Sequence, residues 1–594
     1  MPRDDDTMWA MVLGVLAGGL VLIWGAIVGT ASLMTLLQCG GLPERLGPGA
    51  VVGFVRTGRE ALATESGCEP SVVGMWTVLA GVMLFVAALV VVAVVLWSRW
   101  RESDRRFLND LAGRDGIAKA REVKKRVGEP ALMSKAAAVR PSVKDPKPCQ
   151  VGLQIGVSQG QPVWISVEDS VVLIGPPRSG KGFHIVINAL LDAPGAVVTT
   201  STRGDNVRSV WEARQKTGPV ALFDPQGLTK LPSTLKWSPS QGCEDPMVAS
   251  RRAQAIVGAS SMGQSTSNQE WAGVATTILQ YLLHAAAIAK VDTPTLGRWG
   301  ASPGMASAAA RILKESPEAA PGWGAALDSE LNGDPRMLPS KWMGVSSATS
   351  ALMLPEVADV LDPAPGEGLD PKTFIEDKGT LFLVGTTTGG GAAAPMLIAL
   401  MDAITAEARE MAIRQRGNRL DPPLSLILDE IANIAPWKEL PTIMSDGGGV
   451  GISTMVIIQS PAQARSVWGD NEAQQILDSA TITVQLGGSN NERELERFVK
   501  LMGERKIQER SKTYSNTGTS TGEQSHERAV MTAAELRRLP RGRGLMLAQF
   551  SRPVVLTMSR WVDRKDADEI KAAISRFDAR LAEALTSGSD SVEG

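Results

Sequence analysis

A glycine-rich turn ending in lysine carries the clearest chemistry in the sequence: Gly175-Pro176-Pro177-Arg178-Ser179-Gly180-Lys181-Gly182. Successive backbone amides of such a turn converge into a nest for oxygen anions, and the lysine adds a point charge for terminal phosphates. The cofactors this chemistry calls for are ATP and Mg2+. One position departs from the usual pattern. Gly182 stands where a Ser or Thr hydroxyl commonly ligates Mg2+, so the metal must rely on a carboxylate elsewhere. Leu424 to Glu430, reading Leu-Ser-Leu-Ile-Leu-Asp-Glu, offers one. Asp429 at the end of an apolar run suits the metal, and Glu430 beside it suits the general base that polarises water. Gln459 follows a second apolar run, Thr454 to Ile458, where it suits a sensor of the terminal phosphate. A glutamine that merely caps a strand end is the alternative.

These residues need elements to hold them. Val171 to Ile174 reads as a buried strand entering the turn, and Phe183, Ile187, Leu190 and Leu191 follow at helical spacing. Strand, loop and helix in that order are the setting a phosphate-binding loop requires. Short apolar runs recur at 196–200, 220–223, 381–384, 424–428, 454–458 and 481–486, with helical patterns between them. That alternation predicts an α/β fold with a mainly parallel sheet covered on both faces. Residues 238–363 show no strand run and are rich in Ala, Ser and Met. They read as an all-α insertion dividing the nucleotide domain into 151–237 and 364–563. Ser511 to Ser525 is polar and reads as a flexible loop, and Asp566 to Leu585 has helical spacing. Residues 564–594 are therefore expected as a helix with a disordered tail.

The chain has 594 residues, with 61 Lys plus Arg against 63 Asp plus Glu, so overall charge selects no partner. Its placement says more. Met8 to Pro43 and Ser71 to Ser98 contain no charge, and each run exceeds the roughly 20 residues that cross a bilayer. Residues 1–100 are expected as a two-helix transmembrane anchor with Trp9, Trp97 and Trp100 near its ends. Arg99, Arg101, Arg105 and Arg106 follow the second run, which puts both termini in the cytosol and the loop 38–71 outside. The implied location is the cell membrane. Cys39 and Cys68 flank that outer loop, free or joined. Residues 101–150 read as a basic cytosolic linker, with fourteen Lys or Arg against seven Asp or Glu between Arg99 and Pro148. The three histidines and four cysteines have no metal-ligand spacing.

The loop 175–182, Ala221-Leu-Phe-Asp-Pro-Gln-Gly227, Trp271, Asp429-Glu-Ile-Ala-Asn433 and Ile458-Gln-Ser460 occur in that order. Together with the two spans they resemble the type IV coupling proteins, the TraG/TraD-type conjugation ATPases. Trp237-Ser-Pro and Gly242-Cys-Glu-Asp-Pro246 are similar to actinobacterial members. The resemblance implies a RecA/FtsK-like P-loop NTPase domain and a membrane-anchored homohexamer. It implies that the hexamer brings a relaxase on single-stranded DNA to a type IV secretion channel. It implies that Lys181 binds phosphate, Asp429 holds Mg2+, Glu430 activates water and Gln459 couples hydrolysis to motion. A double-stranded DNA pump of the septal class and a protein-only export ATPase are the alternatives. Ring ATPases lend an arginine to the neighbouring subunit's site, and the turn Ser445 to Gly451 lacks one. Arg465 is the favoured substitute, ahead of Arg493, Arg505 and Arg178.

Overall fold

The computed structural model describes residues 24–25, 28–30, 32–41, 68, 71–101, 103–364, 366–386, 393–434, 436–515 and 518–589. They form two compact units, one of residues up to Leu111 with Arg505–Arg528, the other of Ala112–Glu504 and the remainder from Ala529.

The larger unit is built on an eleven-stranded sheet among the described residues. Its strands are β1 (Gly152–Ser158), β2 (Gln161–Ser166), β3 (Val171–Ile174), β4 (Val197–Ser201), β5 (Val220–Phe223), β6 (Thr380–Val384), β7 (Leu424–Asp429), β8 (Ile452–Ile458) and β9 (Ile482–Leu486). A polar pair follows in the other unit, β10 (Glu504–Ser515) and β11 (Gly518–Ala529); then β12 (Arg543–Ala548) and β13 (Val554–Met558) complete the large sheet. Seven strands in the order β9-β3-β8-β7-β4-β6-β5 are parallel. β12, β13, β1 and β2 extend the β9 side antiparallel.

The parallel strands are buried on both faces, which explains their unbroken apolar runs. In β3, Val172 and Ile174 face one core while Val171 and Leu173 face the other. β7 divides in the same way, Leu426 and Leu428 against Ile427. The first core is shared with helices Pro246–Ala259, Gln269–Ala289, Leu338–Thr349 and Ala394–Ile413. Between β5 and β6 the described chain has helices and no strand. Gln269–Ala289 is long and apolar enough to cross a membrane, but it is a core helix here, with His284 and Leu282 fully buried. β1 and β2 escape sequence reading because glycine, glutamine and proline interrupt them. Gly156 is required there: a Cβ would stand 2.3 Å from the Thr557 carbonyl oxygen across the ladder.

The expected linker 101–150 is corrected from Ala112 onward. Short helices Ala120–Arg126 and Glu129–Ser134 bury Val123 and Leu132, and Ile117, Val127 and Val139 beside them are buried in the same unit as the sheet. Their basic residues form the outer face of a packed segment, which is why charge counting alone reads as a stalk. Arg140 locks this segment down. Its Nε donates to Asp421 Oδ1 at 2.6 Å and its Nη1 to the Gln150 carbonyl at 2.6 Å. Burial raises the Asp421 carboxyl, but hydrogen bonds from Ser142 and Arg140 outweigh it and hold the group below its ordinary value. Arg140→Ala is expected to cost about 3–5 kcal/mol, because it strands a buried carboxylate. Urea unfolding of the purified protein measures the loss, and a change under about 1 kcal/mol would place the pair among ordinary surface contacts.

In the smaller unit, helix Val72–Arg101 is a 30-residue apolar helix with exposed Leu84, Phe85, Leu89 and Leu96. Most of the first expected span lies outside the described residues; an apolar helical piece, Val28–Cys39, is seen. Gln38 accepts from the Ser71 amide at 2.7 Å, and Cys39 and Cys68 are joined as a disulfide. The expected flexible loop 511–525 is corrected to the β10–β11 ribbon. Its strands are polar throughout, so no apolar alternation marks them in sequence. The expected C-terminal helix is Ala567–Ser589, and residues 590–594 lie outside the described set.

Candidate nucleotide site

Sheet order brings the sequence-predicted residues together. β8 lies between β3 and β7, with Ile174 opposite Ile458 and Asp429 opposite Ile457. The turn 175–182, the pair Asp429 and Glu430, and Gln459 therefore leave adjacent strands at one carboxyl edge. That edge is where open α/β sheets bind ligands.

The turn is anchored at its start by Gly175, whose amide donates to the Ile458 carbonyl at 3.0 Å. Arg178 takes φ 63° and Gly180 φ 88°. Left-handed residues of this kind turn successive amides toward one centre. A Cβ on Gly180 would press on the His184 ring at 2.9 Å, whereas one on Gly182 would meet nothing within 4 Å. The hydroxyl missing at Gly182 is thus a matter of residue type, since the space for it is open. The helix after Lys181 begins with a π-type turn, Gly182–Val186.

Lys181 Nζ lies 2.6 Å from Glu430 Oε1 and 3.5 Å from Asp429 Oδ1. Burial is the main influence on Asp429 and pushes it up to about 6, against the pull of Lys181. Its Oδ1 is buried without a hydrogen bond, and its carbonyl accepts from the Thr200 hydroxyl at 2.9 Å. A buried carboxylate oxygen with an unused lone pair beside a phosphate-type loop fits a divalent cation shared with phosphate oxygens. No cluster of three His, Cys, Asp or Glu among the described residues could hold a metal unaided. The fit is therefore to a metal carried in with its nucleotide.

Glu430 sits at φ 54° directly after β7. Burial opposes its charge, but Lys181 and Thr202 hydrogen bonds outweigh that and hold it below its ordinary value. Thr202 donates to its other oxygen, Oε2. Asn433 and Gln463 extend the network: Gln463 Nε2 donates to Asn433 Oδ1 at 2.5 Å, and Gln463 Oε1 accepts from the Gln459 amide at 3.1 Å. Gln459 thus joins through its backbone. Thr202, Asn433 and Gln463 were not singled out from sequence for roles. Asn433 and Thr202 each follow a strand end closely, the one signal they carry.

Arg465, the favoured lent arginine, lies on the helix Pro461–Trp468 that follows β8. It is paired within its own chain to Glu494, itself only 11% exposed, and lies 3.9 Å from Asp470. The pair to Glu494 uses Nη2, while Nη1 is buried without a hydrogen bond.

Two family models match the chain. Residues 122–232 match the type IV secretory system conjugative DNA transfer family, and residues 423–541 match the TraM recognition site of TraD and TraG. No curated protein matches in sequence. Among solved structures, the unbound bacterial conjugative coupling protein TrwBdeltaN70 is 18% identical, with 71% of this chain and 92% of that one covered and a TM-score of 0.53. The plasmid coupling protein TrwB with ADP and Mg2+ is 17% identical over the same shares, at a TM-score of 0.52. At such identity these likenesses show the fold, a P-loop NTPase with a mixed, mostly parallel sheet. The first family match spans the phosphate loop and the second spans Asp429, Glu430 and Gln459, in that order on that fold, so the two halves of the site fall within segments similar to type IV coupling proteins.

Proposed function

We propose that this protein is a membrane-anchored ATPase that brings a relaxase on single-stranded DNA to a type IV secretion channel and powers its transfer. The observation that carries the reading is the meeting of Lys181, Asp429 and Glu430 at one sheet edge, in a chain that also carries a long apolar helix. Lys181 neutralises the terminal phosphates. Asp429 holds Mg2+, which when bound spreads charge off the phosphate oxygens. Glu430, ionised and fixed by Lys181 and Thr202, orients and deprotonates the attacking water. Gln459 reports the state of the site through Gln463 and Asn433. The amides of Arg178 and Gly180 to Gly182 form the cradle, Pro176 and Pro177 shape the bend, and the Gly175 and Ser179 amides tie it down to the Ile458 and Pro176 carbonyls. TrwB structures with an ATP analogue and with ADP and Mg2+ support that cofactor pair. The working state is a homohexamer in the cell membrane, with two spans, both termini cytosolic, and residues 423–541 offered to a protein partner.

The test uses the full chain in lipid nanodiscs. A single-stranded oligonucleotide at low salt is expected to raise ATP turnover several-fold, and duplex of the same length is expected to do less. Stimulation by duplex alone would support the pump reading instead. Absence of any stimulation in a preparation shown to be hexameric would leave protein-only export.

A further inference from the structure

A cavity of about 320 Å3 lies between the phosphate loop and the segment leading into β12. Pro176, Pro177, Arg178 and Ser179 form one wall, Gly487 and Gly488 the floor, and Arg537 to Arg543 the other wall. The two sides are stitched together. The Gly488 amide donates to the Arg537 carbonyl at 2.9 Å, and a Cβ on Gly487 would strike the Leu539 carbonyl oxygen at 2.1 Å.

Arg178, Arg537, Arg541 and Arg543 all line this space, and no acidic residue does. Their guanidinium groups make no ion pair among the described salt bridges, whereas most other arginines of this unit that pack against neighbouring segments, such as Arg140, Arg208, Arg465 and Arg564, are matched with carboxylates. Ser179 adds a buried hydroxyl without a hydrogen bond. Four cations gathered without counter-charge repel one another, so the arrangement costs stability unless an anion completes it. Planar, fork-shaped donors match phosphate oxygens two at a time. Three of the four arginines are exposed, which leaves the cavity open along one side to a chain longer than a single nucleotide.

We infer that this arginine-lined cavity binds phosphates of a nucleic-acid strand, and that the strand so held touches the phosphate loop through Arg178. The inference rests on the DNA-transfer reading and locates one of its contacts. It gives that reading a physical link: a strand drawn through the cavity presses on the same eight-residue turn that holds the nucleotide.

The test compares the full chain in nanodiscs with Arg537→Ala/Arg541→Ala, two exposed positions outside the hydrolytic machinery. Binding of a fluorescent single-stranded oligonucleotide is followed by anisotropy from 50 to 300 mM salt, without nucleotide. The double variant is expected to bind at least about tenfold more weakly at the lowest salt, with the log–log salt slope shallower by roughly 1.4, two contacts at about 0.7 each. Binding of a fluorescent ATP analogue and the thermal midpoint are expected to stay unchanged. Unaltered DNA affinity and slope in the variant, beside a wild type that binds, would overturn the site while leaving the DNA-transfer reading in place. Loss of analogue binding with DNA binding intact would assign the arginines to nucleotide phosphate and overturn it too. A wild type that binds no DNA removes both.

Discussion

Lys181→Met is expected to lower ATP turnover by at least about 100-fold, the scale on which a single preorganised donor to developing charge counts. Methionine keeps the aliphatic stem and so separates charge from packing. The effect should exceed simple loss of a phosphate contact, because Lys181 also stands between Asp429 and Glu430. Without it, two neighbouring carboxylates face each other uncompensated. Like charges disfavour joint ionisation, so Asp429 should rise further above its value of about 6 and grip Mg2+ less well at neutral pH. Phosphate release by the reconstituted protein measures turnover, and Mg2+ titration of analogue binding measures the second effect. Turnover within threefold of wild type would mean that hydrolysis happens elsewhere in the molecule.

The second large effect is expected from Glu430→Gln. The amide keeps shape and can still accept one hydrogen bond, from Thr202 or from Lys181, but it cannot take a proton from water. Loss of a positioned general base costs about 10²–10⁴ in rate, with nucleotide affinity retained. Trapped, unhydrolysed ATP in the variant would be the signature; equal loss of binding and turnover would show a structural role only. pH separates the two acids. Glu430 lies below its ordinary value and stays ionised through the neutral range. Asp429, pushed up to about 6, should give turnover an acidic limb falling as pH drops through that value. Stability runs the other way. A carboxyl raised in the folded state contributes stability fully present below its unfolded value near 3.8, lost as pH rises through about 6. Asp402 is raised to about 6 by burial as well and acts in the same direction. The share owed to Asp429 is therefore read as the difference between wild type and Asp429→Asn in nucleotide-free thermal melts from pH 4.5 to 7.5.

The parts of the fold that could be read from sequence are those where burial writes a local signature. β3 and β7 are apolar on both faces, so Val171–Ile174 and Leu424–Leu428 stand out without help from their neighbours. The meeting of Lys181, Asp429 and Glu430 could be read because each closes or follows a buried strand, so strand order alone brings them to one edge. β1 and β2 could not, since their places depend on β13 and on each other, and Gly156 is there for a carbonyl 400 residues away in sequence. Residues 112–150 show surface charge in the sequence, while the few apolar side chains that fix them are scattered among it. The pairing of Arg465 with Glu494 is another contact that spacing alone cannot assign.

The strand that leads into the phosphate loop has no partner near it in the chain. β3 pairs with β8 and β9, whose residues follow about 280 to 310 positions later. At translation rates of roughly 5–20 residues per second, β3 waits about 15 to 60 seconds for its neighbours. Through that interval the apolar helix Val72–Arg101 has already left the ribosome, while Val171 to Ile174 remains an unpaired strand edge. On the membrane-anchored reading proposed above, the nascent chain is tethered through that helix long before the sheet that carries the nucleotide site can close.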